Sequence, residues 1–191
     1  MEEGQVTVDG VTRQLPVPFI VMATQNPVGS AGTQLLPESQ LDRFMIRISM
    51  GYPTMEEEMR LIRERQEVNP LDQVREIISK QELVAMQEQV KQIHVDDKVL
   101  TYLSRIVDGT RNHAMLSLGV SPRGTLALMD MSKAKAYVTG RAYVLPEDVA
   151  GVATAVLAHR ILLNGKARMA HASEEEIITE IVSRVPAPKL A

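Results

Sequence analysis

The sequence predicts a mostly α-helical protein with a small α/β part at its amino-terminal end, and three observations predict it. Aromatic residues make up only 3% of the chain, Trp is absent and there are 11 Met, so the core must be aliphatic, as is typical of packed helices. Alternation of apolar and polar residues is confined to the amino-terminal part. Helix start signals recur throughout the remainder.

Composition and charge limit the class of protein. The 191 residues are 45% hydrophobic and 24% charged, as expected for a globular chain. A net charge of -3 and a pI of about 5.8 offer no basic surface for DNA or anionic lipid, so nucleic-acid binding is disfavoured. Without Cys, disulfides and thiolate metal sites are excluded. The sequence shows neither a long apolar run nor a signal peptide, so we expect no membrane span and a cytoplasmic protein.

The alternating part predicts strands. Residues 5–15 alternate around Asp9-Gly10, a pair suited to the positive φ angles of a type I′ hairpin turn. Residues 19–23 form a continuous apolar run, typical of a strand covered on both faces in a parallel sheet. Residues 37–43 can form a short helix, with Pro at its first position. Residues 45–50 alternate again and predict a second sheet strand.

Local start signals divide the remainder into helices. Three Ser or Thr residues precede a Glu by three positions, which is the spacing of a capping box. These boxes predict helices over 55–67, 80–93 and 174–184. Three further helices are predicted to start at Asp96, at Ser121-Pro122 and at Pro146. Residues 161–168 are interpreted as a short hairpin.

The most informative stretch runs from Phe19 to Phe44. An apolar strand breaks at Thr24-Gln25-Asn26-Pro27, and the chain then reaches Leu41-Asp42-Arg43-Phe44. An amide at the end of a buried strand and an Arg at the end of the next helix are groups with which a nucleotide hydrolase senses a terminal phosphate. The sequence contains no Gly-x-x-x-x-Gly-Lys-Ser/Thr loop, which would hold the phosphates.

The order of these motifs resembles the carboxyl-terminal half of a MoxR-type AAA+ ATPase, over essentially the whole chain. The resemblance rests on the hairpin, Ala-Thr-Gln-Asn-Pro, Leu-Asp-Arg-Phe, Gly-Tyr-Pro and Ser-Pro-Arg-Gly. The magnesium chelatase ATPase subunit and the MCM helicases share this plan. The resemblance implies a partial AAA+ core over residues 1–52 and a helical lid domain over residues 53–191.

The resemblance also implies partners and cofactors. It implies ATP and Mg²⁺ as cofactors of the intact protein, self-association into a hexameric ring, and chaperone-like remodelling of a client protein. The phosphate-binding loop and the acidic Mg²⁺-binding strand would precede Met1. We therefore expect this chain alone to bind no cofactor and to be inactive.

Three residues match functional positions of the family. The resemblance assigns Asn26 to sensor 1, Arg43 to the arginine finger that enters a neighbouring subunit's site, and Arg123 to sensor 2, a nucleotide-binding role in cis or in trans. No metal-ligating residue is assigned, because the four His show no ligand spacing.

The residues themselves leave alternatives open. Asn26 also suits a turn, Arg43 also suits a helix carboxyl end beside Asp42 or Glu38, and Arg123 also suits a solvated surface. A cation in the first helical turn opposes the dipole, which favours an anion at Arg123. The Asp9-Gly10 hairpin suits either client contact in a ring pore or a structural turn.

Two other classes of function compete with the ATPase hypothesis. The chain could instead be a helical interaction module that has lost catalysis and serves as an adaptor. A DNA-translocating relative is disfavoured by the acidic pI.

Overall fold

The computed structural model describes residues 4–25, 36–67 and 69–189, and it is mostly helical, as predicted. Its elements in chain order are β1 (Gln5–Val8), β2 (Val11–Gln14), α1 (Glu38–Leu41), α2 (Met55–Glu67), a 3₁₀ helix (Pro70–Gln73), α3 (Lys80–Lys91), α4 (Asp97–Arg111), β3 (Leu116–Leu118), α5 (Pro122–Val138), α6 (Pro146–Leu157), a second 3₁₀ helix (Ala158–Arg160), β4 (Leu162–Leu163), α7 (Gly165–Met169) and α8 (Glu174–Arg184).

The amino-terminal hairpin is confirmed. Strands β1 and β2 pair antiparallel, with Val8 opposite Val11. Asp9 and Gly10 have φ angles of 51° and 75°, as a type I′ turn requires. All residues of both strands are exposed, so the hairpin buries no described side chain.

The strands predicted at 19–23 and 45–50 are not found in the part of the chain that the structure describes. These segments belong to no sheet, and the side chains of Met22 and Met50 are 90% and 95% exposed. A strand of a parallel sheet exists only beside its neighbours, and the described ranges contain none for these segments. Instead, the Arg47 amide donates to the carbonyl of Ala155 in α6, at 2.9 Å.

The hairpin predicted at 161–168 is wrong. Strand β4 pairs with the distant strand β3, and residues Gly165–Met169 form α7. Asn164 caps this helix, because its side-chain oxygen accepts from the amides of Lys166 and Ala167. An Asn-Gly pair suits a turn as well as a helix start, and only the distant partner of β4 decides between them.

The helix start signals are confirmed. At the beginning of α3, the Ser79 amide donates to the Glu82 carboxylate at 2.7 Å, and the Glu82 amide donates to the Ser79 hydroxyl at 3.2 Å. The same reciprocal bonds join Thr54 to Glu57 and Ser173 to Glu176. The helix predicted over 37–43 is shorter than expected and spans Glu38–Leu41.

The core lies among α4, α5, α6 and α8. Its fully buried side chains are aliphatic, as the composition predicts, and include Ile106, Leu128, Leu157 and Ile178. Burying each contributes about 1.5 to 3 kcal/mol. No helix in the described ranges combines the length and hydropathy that a membrane crossing needs. The packed bundle fixes the positions of the start of α5 and of the 3₁₀ helix after α6, and both contribute side chains to the candidate site.

Candidate functional site

The candidate site lies where the Leu-Asp-Arg-Phe segment meets the helical bundle. Helix α1 ends at Leu41, and the chain turns through Asp42, Arg43 and Phe44, with the Phe44 amide donating to the Leu41 carbonyl at 3.0 Å. We call residues 42–45 the Arg43 turn. It contacts the bundle through two side chains of the 3₁₀ helix and two at the start of α5.

Arg160 is the centre of the site, and sequence reasoning missed it. Its side chain is 1% exposed. The five N–H groups of its guanidinium meet five acceptors, which are the Asp42 carboxylate at 3.2 Å and the carbonyls of Asp42 at 3.2 Å, Phe44 at 2.7 Å, Met45 at 3.2 Å and Val156. The donors of this buried cation are thereby satisfied.

The Asp42 carboxylate stabilises the buried charge of Arg160. Burial lowers the pKa of the Arg160 guanidinium, and the nearby Asp42 carboxylate opposes that effect. An arginine retains its proton even when buried, so this site holds a positive charge in the protein interior. Such a charge requires a paired carboxylate, which Asp42 supplies.

The Asp42 carboxylate is shared among three groups of the bundle. Arg160 donates to one oxygen at 3.2 Å, and Arg123 donates to the other at 3.2 Å. The Ser121 hydroxyl lies 3.2 and 3.1 Å from the two oxygens and donates to the carboxylate. The Asp42 carboxylate is therefore paired with two guanidiniums, one buried and one partly exposed.

The start of α5 presents Arg123 as the sequence predicted. The Ser121 hydroxyl caps the helix by accepting from the Gly124 amide at 3.3 Å, and Pro122 occupies the first turn. The first turn of this 17-residue helix contains no acidic residue. The Arg123 guanidinium is 41% exposed at the positive end of the helix dipole, a position that suits a phosphate-like anion.

The glycine of Ser-Pro-Arg-Gly is explained by Arg160. A Cβ atom at Gly124 would lie 2.5 Å from Cγ1 of Val120 and 2.8 Å from Cδ of Arg160. Both distances are shorter than carbon atoms tolerate, so a side chain here would displace Arg160. Gly124 therefore permits the buried arginine to reach the Arg43 turn.

His159 adds a second hydrogen bond to the Arg43 turn. Its Nε2 lies 3.0 Å from the Phe44 carbonyl, which can only accept, so Nε2 carries the proton. Its Nδ1 is buried and has no partner among the described residues. Burial lowers the pKa of His159, and the charges of Arg160 and Arg47 lower it further. The ring is therefore neutral at physiological pH.

A second connection to the bundle lies at the surface. Arg47 forms an ion pair with Glu175 of α8 at 2.6 Å, and both side chains are about half exposed. Exposed pairs of this kind contribute little, about 0 to 1 kcal/mol. Arg160, rather than Arg47, dominates the attachment of this segment.

The structure places two of the three predicted site residues. Arg43 is exposed on the turn, and its neighbour Asp42 is bonded to Arg123. Asp42, one alternative partner for Arg43, is instead engaged by the bundle. Asn26 lies outside the described residues. Within the described ranges, no group of three or more His, Asp or Glu could hold a metal ion.

Two family models match this chain. Residues 108–181 match the AAA lid domain, and residues 1–46 match the ATPase family associated with various cellular activities (AAA). The first range contains the start of α5 and Arg160, and the second contains Asn26 and Arg43.

Individual relatives agree with these matches. The chain is 43% identical over 98% of its length to the uncharacterized protein YeaC of Bacillus subtilis, and 37% identical over its whole length to the chaperone MoxR1 of Mycobacterium tuberculosis. It covers 59% and 52% of those two proteins, so it spans little more than half of their length. A solved structure of a candidate ATPase from Cytophaga hutchinsonii is 36% identical, with a TM-score of 0.90 over 98% of this chain and 60% of that one.

Proposed function

Because this chain belongs to the MoxR-type AAA+ ATPases and corresponds to a carboxyl-terminal portion of one, we propose that it is the sensor, finger and lid part of an ATP-driven protein remodeller. Its subunits assemble into a ring, which is hexameric by resemblance to the family. The client is a protein complex, and the assembly works in the cytoplasm.

One observation carries the proposal. The Asp42 carboxylate joins Arg123, at the start of α5, to the turn that presents Arg43. Two groups proposed to act on a nucleotide thus belong to one hydrogen-bonded unit. Arg123 is exposed at the positive end of the α5 dipole, so its guanidinium is accessible to an anion from solvent.

The residues present fit the terminal phosphate of ATP, but those in the described ranges do not supply a Mg²⁺ site. ATP would supply the phosphoryl group whose hydrolysis drives remodelling, with Mg²⁺ held by other segments. The Arg123 guanidinium, at the positive end of the α5 dipole, would bind the phosphate oxygens. The exposure of its side chain, 41%, supports this binding.

Arg43 would act on the nucleotide of a neighbouring subunit. It is exposed on a turn that the bundle fixes, so its side chain can reach across an interface. Its guanidinium stays charged and can contact two phosphate oxygens as negative charge redistributes. Asn26 would orient the attacking water as sensor 1, a role that rests on the resemblance.

A noncatalytic adaptor is the second candidate, favoured by exposed apolar side chains on α2 such as Met55, Leu61 and Ile62. Substitution of Arg43 separates the two. In the ATP-hydrolysing assembly that contains this chain, Arg43→Ala should lower turnover by about 10³-fold while nucleotide binding is retained. Arg168→Ala, an exposed arginine on α7, is the control and should leave turnover unchanged. Normal turnover of Arg43→Ala would support the adaptor.

A further inference from the structure

A buried arginine that the proposed function does not use lies beneath the proposed finger. Four of the five acceptors of Arg160 are main-chain carbonyls, and three of these, of Asp42, Phe44 and Met45, flank Arg43 on both sides. The turn is therefore wrapped around one guanidinium. Helix α1 has only four residues and buries none of them, so it cannot fix the turn by itself.

The same guanidinium leads to the other proposed nucleotide contact. Exposure rises along one chain of ion pairs, from Arg160 at 1% through Asp42 at 21% to Arg123 at 41%. Arg160, at the inner end of this series of ion pairs, is buried with its donors satisfied, whereas Arg123, at the outer end, is partly exposed to solvent. The Asp42 carboxylate is bonded to both arginines.

We propose that Arg160 and Asp42 are positioning residues for the finger, and that Asp42 couples an anion at Arg123 to the Arg43 turn. The roles of Arg43 and Arg123 in this inference rest on the proposed function. The attachment of the turn by Arg160 does not, because the hydrogen bonds alone carry it.

The coupling follows from competition for one guanidinium. An anion bound to Arg123 competes with the Asp42 carboxylate for the Arg123 guanidinium. The carboxylate then loses Arg123 as a partner but keeps its bonds to Arg160 and Ser121. Anion binding therefore loosens the Arg43 turn. By reciprocity, removing the Asp42 charge should strengthen anion binding at Arg123 while it weakens the hold on the turn.

Two variants test the attachment itself. Arg160→Lys keeps the charge but loses the planar fork, and Asp42→Asn keeps the size of the side chain but loses the charge. Amide hydrogen exchange is measured at Phe44 and Arg47 in the intact protein. We expect exchange to rise at least about tenfold in both variants, with unchanged protection of core amides in α5 showing that the bundle remains folded.

Glu175→Gln is the matched control, because it removes the exposed Arg47 ion pair of the same segment. It should change exchange at Phe44 less than about twofold. Wild-type exchange at Phe44 and Arg47 in both Arg160→Lys and Asp42→Asn would overturn the inference.

Steady-state ATP hydrolysis tests the coupling. Asp42→Asn should lower kcat about tenfold or more, because the finger is displaced, while KM falls, because a carboxylate that competes for Arg123 is lost. A purely structural role would lower kcat together with the folded fraction and leave KM unchanged, and an unchanged KM would overturn the coupling. If Arg43→Ala leaves turnover unchanged, the proposed function fails, while the exchange measurement still decides whether Arg160 attaches the turn.

Discussion

At the scale of single residues, the buried cation Arg160 constrains which residues can occupy several other positions. Arg160 requires a carboxylate, which Asp42 provides, and it requires space, which Gly124 provides. Its bonds to the Arg43 turn then present Arg43 to solvent. The Leu-Asp-Arg-Phe and Ser-Pro-Arg-Gly motifs are therefore two halves of one contact, although 79 residues separate Asp42 from Ser121.

Gly124→Ala should destabilise the protein by about 1 to 3 kcal/mol, because the added methyl group would overlap Val120 and Arg160. Urea denaturation monitored by circular dichroism measures the change in the free energy of unfolding. Gly151→Ala is the control, since a Cβ at Gly151 in α6 meets open space. That control should be neutral or stabilising by about 0.5 to 1 kcal/mol. Equal effects of the two substitutions would show that Arg160 does not restrict position 124.

His159 should make stability depend on pH. Its folded pKa is lowered from the usual 6.5, chiefly by burial, so the folded state binds the proton more weakly than the unfolded state. The stabilising contribution is therefore present above about pH 6.5 and is lost as the pH falls through the folded pKa. Urea midpoints at pH 7.5 and pH 5 should differ more in the wild type than in His159→Gln. The same pH dependence in both proteins would assign the effect to other groups.

At the scale of elements, a helix cap contributes more to the free energy of unfolding of the whole protein when its helix buries side chains in the core. Helices α3 and α8 have the same capping box, yet α8 buries Ile177, Ile178 and Ile181, whereas α3 buries no residue. The cap of α8 therefore stabilises the core, while the cap of α3 stabilises an exposed helix.

Ser173→Ala should lower the free energy of unfolding by about 1 kcal/mol, since it removes the bond to the Glu176 amide. Ser79→Ala removes the equivalent bond in α3 but should shift the global unfolding midpoint less. Thermal denaturation of the two variants provides the comparison. A larger shift for Ser79→Ala would contradict the assignment of the core to α4, α5, α6 and α8.

The elements also show what sequence reasoning could predict. Helices α2, α3, α4, α5, α6 and α8 follow from caps and periodicity within one helix, so the sequence predicts them to within a few residues, whereas the sequence analysis does not predict α7. Arg160 was missed because its acceptors in the Arg43 turn lie 115 to 118 residues earlier, and three of those four are backbone carbonyls, which leave no sequence signature. The prediction of strands at 19–23 and 45–50 is wrong for the described structure. A local apolar pattern shows that a segment could be buried in a sheet, but it does not show whether neighbouring strands are present.

At the scale of the whole molecule, the two ends of the chain differ in how they are stabilised. The bundle has a continuous aliphatic core, whereas Ile20, Met22, Ile48 and Met50 are exposed near the amino-terminal end. Exposed apolar groups of this number favour association.

The isolated chain should therefore self-associate at high concentration. Ile48→Lys combined with Met50→Lys should reduce this association, because both side chains are exposed and their substitution disturbs no described core contact. Light scattering over a concentration series measures it, and a clean wild-type monomer at the highest concentration would contradict the expectation.

The central proposal is that Asn26 and Arg43 act on ATP in different subunits of one ATPase ring. The most direct measurement is ATP turnover by a mixture of two inactive variants, Asn26→Ala and Arg43→Ala, in the intact protein. The account predicts that each is inactive alone and that an equal mixture regains about a quarter of wild-type turnover, from sites that combine an intact Asn26 with a neighbour's intact Arg43. A mixture as inactive as its components would contradict it.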